Sequence, residues 1–329
     1  MTSTEPWTAK YDQVVAEVPN QPGGETAGAG IEDLASYVDP IDWDTFWAAE
    51  TPEQEWFIEP IVPKGRQVAV YSKPKAGKSL VTLDAVAARA TGRPVLGQRP
   101  TPPVDVVYID QEMTEADLRE RLSDLGYGPD TDLSHLHYYQ LVALTPLDTE
   151  LGGLELEAIA KRWNAELVVL DTMARVVSGD EDKADTYRAF YRHTGRRLKA
   201  AGIALLRLDH GGKDPTMGQR GSSAKADDVD VVFQLVEVDD GINLKRTHTR
   251  IPWVPAEVNI RRAVEPQLHH TLTDGLWPDG TRQVADLLDN LDVPLDARTV
   301  DADRALKASG HGRRKQVVIA GLKWRRERS

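Results

Sequence analysis

The sequence contains no cysteine and no long apolar run, and it has more acidic than basic residues. Without cysteine the chain cannot form disulfide bonds or thiolate metal sites, which fits a reducing cytoplasm. No apolar segment approaches the roughly 20 residues that span a bilayer. The stretch from Met1 to Pro6 has neither the basic region nor the apolar run of a secretion signal. We therefore expect a soluble, cytoplasmic protein with no membrane partner.

The acidic charge is concentrated in the amino-terminal part of the chain. The net charge is −12, and residues 1–60 account for it with thirteen acidic residues and one lysine, so residues 61–329 are neutral overall. Residues 296–329, by contrast, carry ten basic and four acidic side chains. This basic tail either contacts nucleic-acid phosphates or forms a solvated helix whose cations lie near the negative end of the helix dipole.

Changes in composition divide the chain into five segments. Residues 1–30 are rich in proline and glycine and lack a hydrophobic period, which predicts a disordered acidic leader. Residues 31–60 combine acidic residues with a high density of aromatic side chains, which need a surface to cover. We expect this second segment to be an ordered arm that packs on the main domain or on a neighbouring subunit. Its aromatic residues include Trp43, Phe46, Trp47, Trp56 and Phe57.

The other three segments predict an α/β core followed by a small helical module. Residues 61–266 alternate apolar runs with amphipathic stretches, the pattern of a mostly parallel central sheet flanked by helices. The turn-rich residues 267–281 predict a linker. Residues 282–329 predict two or three short helices, which fit either a basic helix-turn-helix that binds DNA or a small bundle that contacts another protein.

An alternating apolar strand that starts at Gln67 runs into a phosphate-binding loop and then into an alanine-rich helix. In such loops the backbone N–H groups surround the β-phosphate of a nucleoside triphosphate, so ATP is the expected ligand. Lys78 would reach the β- and γ-phosphate oxygens, and the Ser79 hydroxyl would coordinate Mg²⁺. Ser72 stands where such loops commonly begin with glycine. The expected nucleotide-binding residues are Ser72, Lys73, Pro74, Lys75, Ala76, Gly77, Lys78, Ser79 and Leu80.

Two further apolar strands deliver carboxylates to the edge of the sheet where open α/β folds bind their ligands. The strand predicted over residues 104–113 carries Glu112, which could orient or deprotonate the attacking water. Glu112 could instead cap the helix that begins at Thr114, since helix N-termini favour acids. The strand predicted over residues 167–172 is an apolar run closing on Asp171, which we expect to be the second Mg²⁺ residue.

A third strand, predicted over residues 203–210, ends at His210. An imidazole in this position can hydrogen-bond the γ-phosphate and report its loss. The alternative is a purely structural histidine. We therefore treat His210 as a candidate sensor of nucleotide state.

Together these blocks resemble the RepA-like branch of the RecA-fold ATPases, a group that contains hexameric replicative helicases of plasmids and related proteins of actinobacteria and their phages. The resemblance covers roughly residues 55–262 and depends on the ordered combination of the blocks. In RecA-like and DnaB-like motors the catalytic glutamate lies on the strand that follows the loop's helix, as Glu112 does. Chaperone-like AAA+ motors place it directly after the aspartate, where this chain has Thr172. The blocks span residues 72–79, 108–113, 169–172, 209–214 and 219–224.

The resemblance implies a role for each site residue. Lys78 and Ser79 would hold phosphate and magnesium, Glu112 would activate water, Asp171 would complete the metal site, and His210 would couple nucleotide state to the loop that follows it.

The resemblance also implies a homo-oligomer, a hexameric ring in which a neighbouring subunit's cation completes each active site. An arginine there would stabilise the charge that spreads over the γ-phosphoryl oxygens. Arg220 and Arg250 are the candidates, although His248 occupies the place of the lysine in the Lys-x-Arg pair of DnaB-like relatives. Each arginine could instead form a salt bridge on the surface or within its own subunit.

Two glycine-containing loops carry the residues expected to bind single-stranded DNA. One loop follows Asp171 and contains Arg175, and the other follows His210 and contains Lys213 and Arg220. In related rings the equivalent loops face a central pore, where six copies of a cation would hold the phosphate backbone. Neither loop contains an aromatic residue, which predicts little base stacking and little sequence preference.

We therefore expect an ATP-hydrolysing RecA-fold motor on single-stranded DNA, specifically a RepA-like hexameric replicative helicase of a phage or mobile element. ATP and Mg²⁺ would be its cofactors, and replication proteins would be further partners. The alternative is a DNA-stimulated ATPase that acts as loader, recombination mediator or remodeller without unwinding. A nucleotide-gated binding protein is a third interpretation, which Glu112 and Asp171 disfavour.

Overall fold

The structure of the protein is a computed structural model in which the chain separates into two units, Met1–Glu55 and Trp56–Ser329. The predicted leader, residues 1–30, lies outside the residues that the structure describes. The described residues are 40–49, 55–180, 183–211, 228–238, 241–273 and 280–328.

The first unit contains one short described helix, α1 (Trp43–Ala48). It begins after Asp42, whose carboxylate accepts a hydrogen bond from the Thr45 hydroxyl at 2.6 Å. Its three aromatic side chains contact one another edge to face and remain largely exposed; they are Trp43, Phe46 and Trp47. Trp56 and Phe57, which the predicted arm also includes, belong to the second unit. Phe57 is only 2 % exposed there, because it packs in the core of the sheet, so this core begins before residue 61.

A nine-stranded sheet forms the centre of the second unit, in the order β11-β10-β9-β8-β3-β7-β6-β4-β5. The strands from β8 to β5 in this order pair in parallel, and β9, β10 and β11 extend the sheet by antiparallel pairing. The α/β fold with a mostly parallel sheet is therefore confirmed. The strands are β3 (Gln67–Ser72), β4 (Val106–Asp110), β5 (Leu136–Gln140), β6 (Leu167–Asp171), β7 (Ala204–His210), β8 (Val231–Val238), β9 (Gly241–Thr249), β10 (Glu257–Ala263) and β11 (His269–Leu272), and a separate pair is β1 (Trp56–Ile58) with β2 (Val62–Pro63).

Helices cover both faces of the parallel strands. Side chains alternate along a strand, so Val106 and Tyr108 of β4 pack in the cluster that contains α2, whereas Val107 and Ile109 pack in the cluster that contains α4 and α5. The helices of this region are α2 (Lys78–Thr91), α3 (Glu115–Asp124), α4 (Glu150–Arg162), α5 (Ala184–Phe190) and α6 (Arg196–Ala200), with a π-helical turn, Tyr191–Gly195, between the last two.

The antiparallel edge of the sheet differs from the sequence-based prediction. The segment 267–281 was expected to be a linker, but its residues His269–Leu272 form β11, which pairs with β10. Packing against α2 explains the difference: the backbone N–H and the Nδ1 of His270 lie 2.8 Å and 2.7 Å from the Asp84 carboxylate of that helix. Sequence patterns near the turn could not report this contact because the two residues are 186 positions apart.

Three helices at the carboxyl end share a hydrophobic cluster of their own. They are α7 (Thr281–Asn290), α8 (Thr299–Ala308) and α9 (Lys315–Arg328). Arg325 of α9 donates hydrogen bonds to the Asp289 carboxylate (2.7 Å) and the Val293 carbonyl (2.6 Å), which fixes α9 to α7. DNA binding by these helices stays a prediction, as does the alternative of a protein-binding bundle. None of the described helices has the length and apolar character needed to cross a membrane.

Candidate nucleotide-binding site

The phosphate loop connects the carboxyl end of β3 to the first turn of α2. Gly77 precedes α2 with φ of 87°, a left-handed conformation that side chains with a Cβ rarely adopt. α2 then begins at Lys78, so the loop's N–H groups and the positive end of the helix dipole face the same space. This local geometry forms an anion-binding site.

Lys78 is held in the loop by the residue that replaces the usual first glycine. Its Nζ donates to the Ser72 Oγ at 2.9 Å, and that hydroxyl in turn donates to the Lys73 carbonyl at 2.7 Å. Lys78 is 6 % exposed, and burial lowers its pKa while the nearby carboxylates of Asp171 and Glu112 oppose this shift. Ser72 therefore gives the ammonium group a hydrogen-bond acceptor in the absence of phosphate.

Asp171 lies at the end of β6 with one oxygen satisfied and one free to bind a cation. Its Oδ2 accepts from the Tyr108 hydroxyl at 2.9 Å, and its Oδ1 is buried without a hydrogen-bond partner among the described residues. Burial raises the pKa of Asp171, whereas the nearby hydroxyls of Ser79 and Tyr108 lower it. An unsatisfied buried carboxylate oxygen beside a serine hydroxyl fits Mg²⁺, which prefers oxygen ligands.

The protein alone supplies few ligands for such an ion. Within the part of the chain that the structure describes, no group of three or more His, Cys, Asp or Glu residues is arranged to hold a metal. Protein Mg²⁺ sites commonly consist of one or two protein groups completed by substrate phosphates and water. Asp171 and Ser79 are therefore the residues that would hold Mg²⁺ together with a bound nucleotide.

Glu112 is contacted by residues at or just after the ends of the neighbouring strands β6 and β7. Its Oε1 accepts from the Thr172 hydroxyl at 3.3 Å, and it lies 3.9 Å from the Nε of Arg175 and 3.8 Å from the Nε2 of His210. The turn that presents Glu112 is fixed by Asp110, whose Oδ1 accepts from the Glu112 N–H at 2.8 Å. The predicted hydrolytic, sensor and DNA-contact residues thus meet at one carboxylate.

The alternative role of Glu112 as a helix cap is not observed. α3 is capped by Thr114, whose hydroxyl accepts from the Asp117 N–H at 3.3 Å, while the Asp117 carboxylate accepts from the Thr114 N–H at 2.9 Å. This reciprocal arrangement is a capping box. Glu112 lies outside it and lines a cavity beside the phosphate loop.

A pair of tyrosines supports the site and was not identified from the sequence. Tyr108 and Tyr138 are register partners on β4 and β5, and their rings stack with centroids 4.8 Å apart. Tyr108 donates to Asp171, and Tyr138 donates to the Oδ2 of Asp110 at 2.5 Å. Burial raises the pKa of both hydroxyls, so they stay protonated as donors. The only sequence signal was a tyrosine two residues before each strand end, which has no meaning without the register.

Most of the predicted nucleotide-binding residues line a cavity of about 650 Å³. It is lined by residues 74–80 of the loop and by Glu112, Thr172 and His210. Ser72 and Lys73 instead line a neighbouring cavity of about 370 Å³.

Arg250 follows β9 and lies beside the start of β8, at the opposite edge of the sheet from the loop. Lys213 and Arg220 lie outside the described residues.

Comparison with known proteins agrees with this geometry. A protein-family profile described as "AAA domain" matches residues 35–216, a range that contains the phosphate loop, Glu112, Asp171 and His210. A search of curated proteins found no match. Because the profile covers more than half of the 329 residues, the chain belongs to this AAA domain family and is an ATPase of the P-loop class.

Proposed function

We propose that this ATPase is a motor that acts on single-stranded DNA, specifically a RepA-like hexameric replicative helicase. The observation that carries the proposal is the contact between Glu112 and Arg175. Glu112 is the candidate for activating water, and Arg175 lies in the loop that we assign to DNA. A strand of DNA that attracts Arg175 would therefore change the surroundings of the carboxylate that hydrolysis needs.

The chemistry assigned to the cavity is phosphoryl transfer to water. Lys78 and the loop N–H groups bind the β- and γ-phosphates, and bound Mg²⁺ would neutralise part of their charge. Glu112 orients the attacking water and accepts its proton. Asp171 and Ser79 would hold the metal, and the Tyr108 hydroxyl keeps the Asp171 carboxylate in place.

His210 is assigned to communication between the nucleotide and the loop that follows β7. It is the register partner of Ser72, and the Gly211 N–H donates to the Ser72 carbonyl at 2.7 Å. Its Nδ1 is buried and makes no hydrogen bond to any residue that the structure describes. A change in the position of His210 after phosphate loss would reach both Glu112 and the start of the loop that carries Lys213.

In the proposed ring, a neighbouring subunit contributes an arginine to each active site. Arg250 lies near the amino-terminal ends of the parallel strands, whereas its own phosphate loop lies at their carboxyl ends. It would therefore act in a neighbour's site and not in its own. Arg220 is the second candidate for this role. Six copies of Arg175, Lys213 or Arg220 around a pore would hold the DNA backbone electrostatically.

Strand displacement on forked DNA tests the proposal. Wild-type protein with MgATP should displace the strand, and Lys78→Ala should abolish both displacement and hydrolysis because it removes the phosphate-binding ammonium group. Lys245→Ala is the control, because this lysine is exposed on β9 and has no assigned role, so the variant should keep both hydrolysis and displacement. Hydrolysis by the wild type without displacement on any fork would contradict the helicase and favour the loader, mediator or remodeller.

A further inference from the structure

The nucleotide cavity extends well beyond the phosphate loop. Its far end is formed by one face of α3 and by the β10–β11 hairpin. None of these residues belongs to the loop or to the strand ends that carry Glu112, Asp171 and His210. The residues that form this far end are Asp117, Glu120, Arg121, Asp124, Arg262 and Leu268.

Strand register directs Arg262 into the cavity. Arg262 and His270 are directly opposed on β10 and β11, and opposed residues of an antiparallel pair project from the same face of the sheet. The His270 ring contacts Asp84 of α2 at 2.7 Å, so this face is turned towards the phosphate-loop helix. Arg261 is opposed to Thr271 and therefore projects from the other face.

Further contacts fix the hairpin beside α3. The Leu268 N–H donates to the Asp124 carbonyl at 3.0 Å, and the Leu268 side chain packs in a cluster with Leu118 and Leu122 of the same helix. The His270 side chain is 3 % exposed at its contact with Asp84. Arg262 is thus carried on a backbone that is hydrogen-bonded to both helices flanking the cavity.

The charges at the two ends suit different parts of one ligand. The loop end offers Lys75, Lys78 and backbone N–H groups, which attract phosphates. The far end carries the carboxylates of Asp117, Glu120 and Asp124 together with the guanidinium group of Arg121. The carboxylates outnumber the cations Arg121 and Arg262, so this end attracts phosphates less than the loop end does, and the carboxylates accept hydrogen bonds from hydroxyl and amino groups. A planar guanidinium group such as that of Arg262 stacks well on an aromatic ring system.

We propose that Arg262, together with the carboxylates on α3, holds the ribose and base of the nucleotide whose phosphates bind the loop. Arg262 lies against the face of the base, and Glu120, which is exposed and has no helix-capping role, accepts from the nucleoside. The nucleoside is then bound within one chain. This inference rests on nucleotide binding in the cavity and is independent of any action on DNA.

Equilibrium binding of two ligands separates a nucleoside contact from a phosphate contact. Calorimetry with Mg²⁺ would measure the Kd for ATP and for inorganic triphosphate, which has no nucleoside. Arg262→Ala should raise the Kd for ATP about tenfold, the size of a good cation–π contact. It should leave the Kd for triphosphate unchanged. Arg261→Ala is the matched control and should change neither constant.

Equal weakening of ATP and triphosphate binding would overturn the proposal, because it would place Arg262 at the phosphates. An unchanged Kd for ATP would also overturn it. Arg262→Lys keeps the charge but loses the planar group, so it should bind ATP nearly as weakly as Arg262→Ala; full affinity in this variant would exclude stacking. Since no DNA is present, failure here is distinct from failure of the helicase proposal.

Discussion

The two ends of the nucleotide cavity are built in different ways. At the phosphate end, parallel strands deliver buried side chains whose positions are fixed by hydrogen bonds, as with Asp171 and Tyr108. At the far end, exposed side chains such as Glu120 and Arg262 project from a helix and an antiparallel hairpin. The phosphate end is therefore preorganised for chemistry, whereas the far end adjusts affinity. Substitutions should affect catalysis strongly at the first end and binding modestly at the second.

Replacement of Glu112 by glutamine should have the largest effect. The amide keeps the size of the side chain but cannot accept a proton, so steady-state ATP turnover should fall by about 10²–10⁴-fold. The Kd for ATP should stay within about twofold, because the phosphate ligands are unchanged. Glu115→Gln is the control: this residue forms a surface ion pair with Arg119 and should keep normal turnover. Turnover near the wild-type value in Glu112→Gln would assign water activation to another group.

Ser72→Ala tests whether the phosphate end is organised before nucleotide binds. The substitution leaves the buried Lys78 ammonium without its 2.9 Å acceptor, which should lower the free energy of unfolding by about 1–3 kcal/mol. Saturating MgATP should restore most of this loss, because phosphate oxygens then accept from Lys78. Urea unfolding with and without MgATP would measure both effects. Ser123→Ala on α3 is exposed and should unfold like the wild type. An equal loss with and without nucleotide would show that Ser72 has only a packing role.

The strand ends were predictable for a simple physical reason. A buried parallel strand is a run of apolar residues, so the polar residue that ends it marks the sheet edge where ligands bind. Asp171 and His210 were placed in this way, and Glu112 lies in the turn two residues beyond β4. No such pattern in the sequence marks the residues at the far end of the cavity. The position of Arg262 depends on a hairpin register and on a hydrogen bond between Asp84 and His270, which are distant in sequence.

The tyrosine hydroxyls that support the site could not be predicted from the sequence, for a related reason. A tyrosine in a strand is typical of any half-buried sheet surface. Only the pairing of β4 with β5 shows that Tyr108 and Tyr138 stack and donate to two different aspartates. The replacement of glycine by Ser72 was visible in the sequence, but the acceptor that its hydroxyl offers to Lys78 required the structure.

Arg175→Ala should produce a smaller effect at the phosphate end. The Arg175 and Glu112 side chains are 65 % and 37 % exposed, so their ion pair contributes little, about 0–1 kcal/mol. Basal hydrolysis should change less than about fivefold. The rise in hydrolysis on addition of single-stranded DNA should disappear, because the proposed link between DNA and Glu112 is lost. Arg188→Ala, which breaks a surface pair with Asp185, is the control. Full stimulation of hydrolysis by DNA in Arg175→Ala would show that Arg175 does not connect DNA binding to Glu112.

The smallest effect is expected from Asp84→Asn, which acts on the far end only through the hairpin. Both contacts from His270, the backbone N–H and the ring, are made to the same carboxylate oxygen, Oδ2. An uncharged amide oxygen accepts hydrogen bonds more weakly than a carboxylate oxygen, so Arg262 should be held less firmly. The Kd for ATP should rise about two- to threefold, corresponding to about 0.5 kcal/mol. A double-mutant cycle tests the route of this effect. If Asp84 acts by positioning Arg262, the substitution should have no further effect on ATP binding in the Arg262→Ala background. Additive losses would instead mean that Asp84 influences the phosphate loop directly through α2, and the two ends of the cavity would then be coupled.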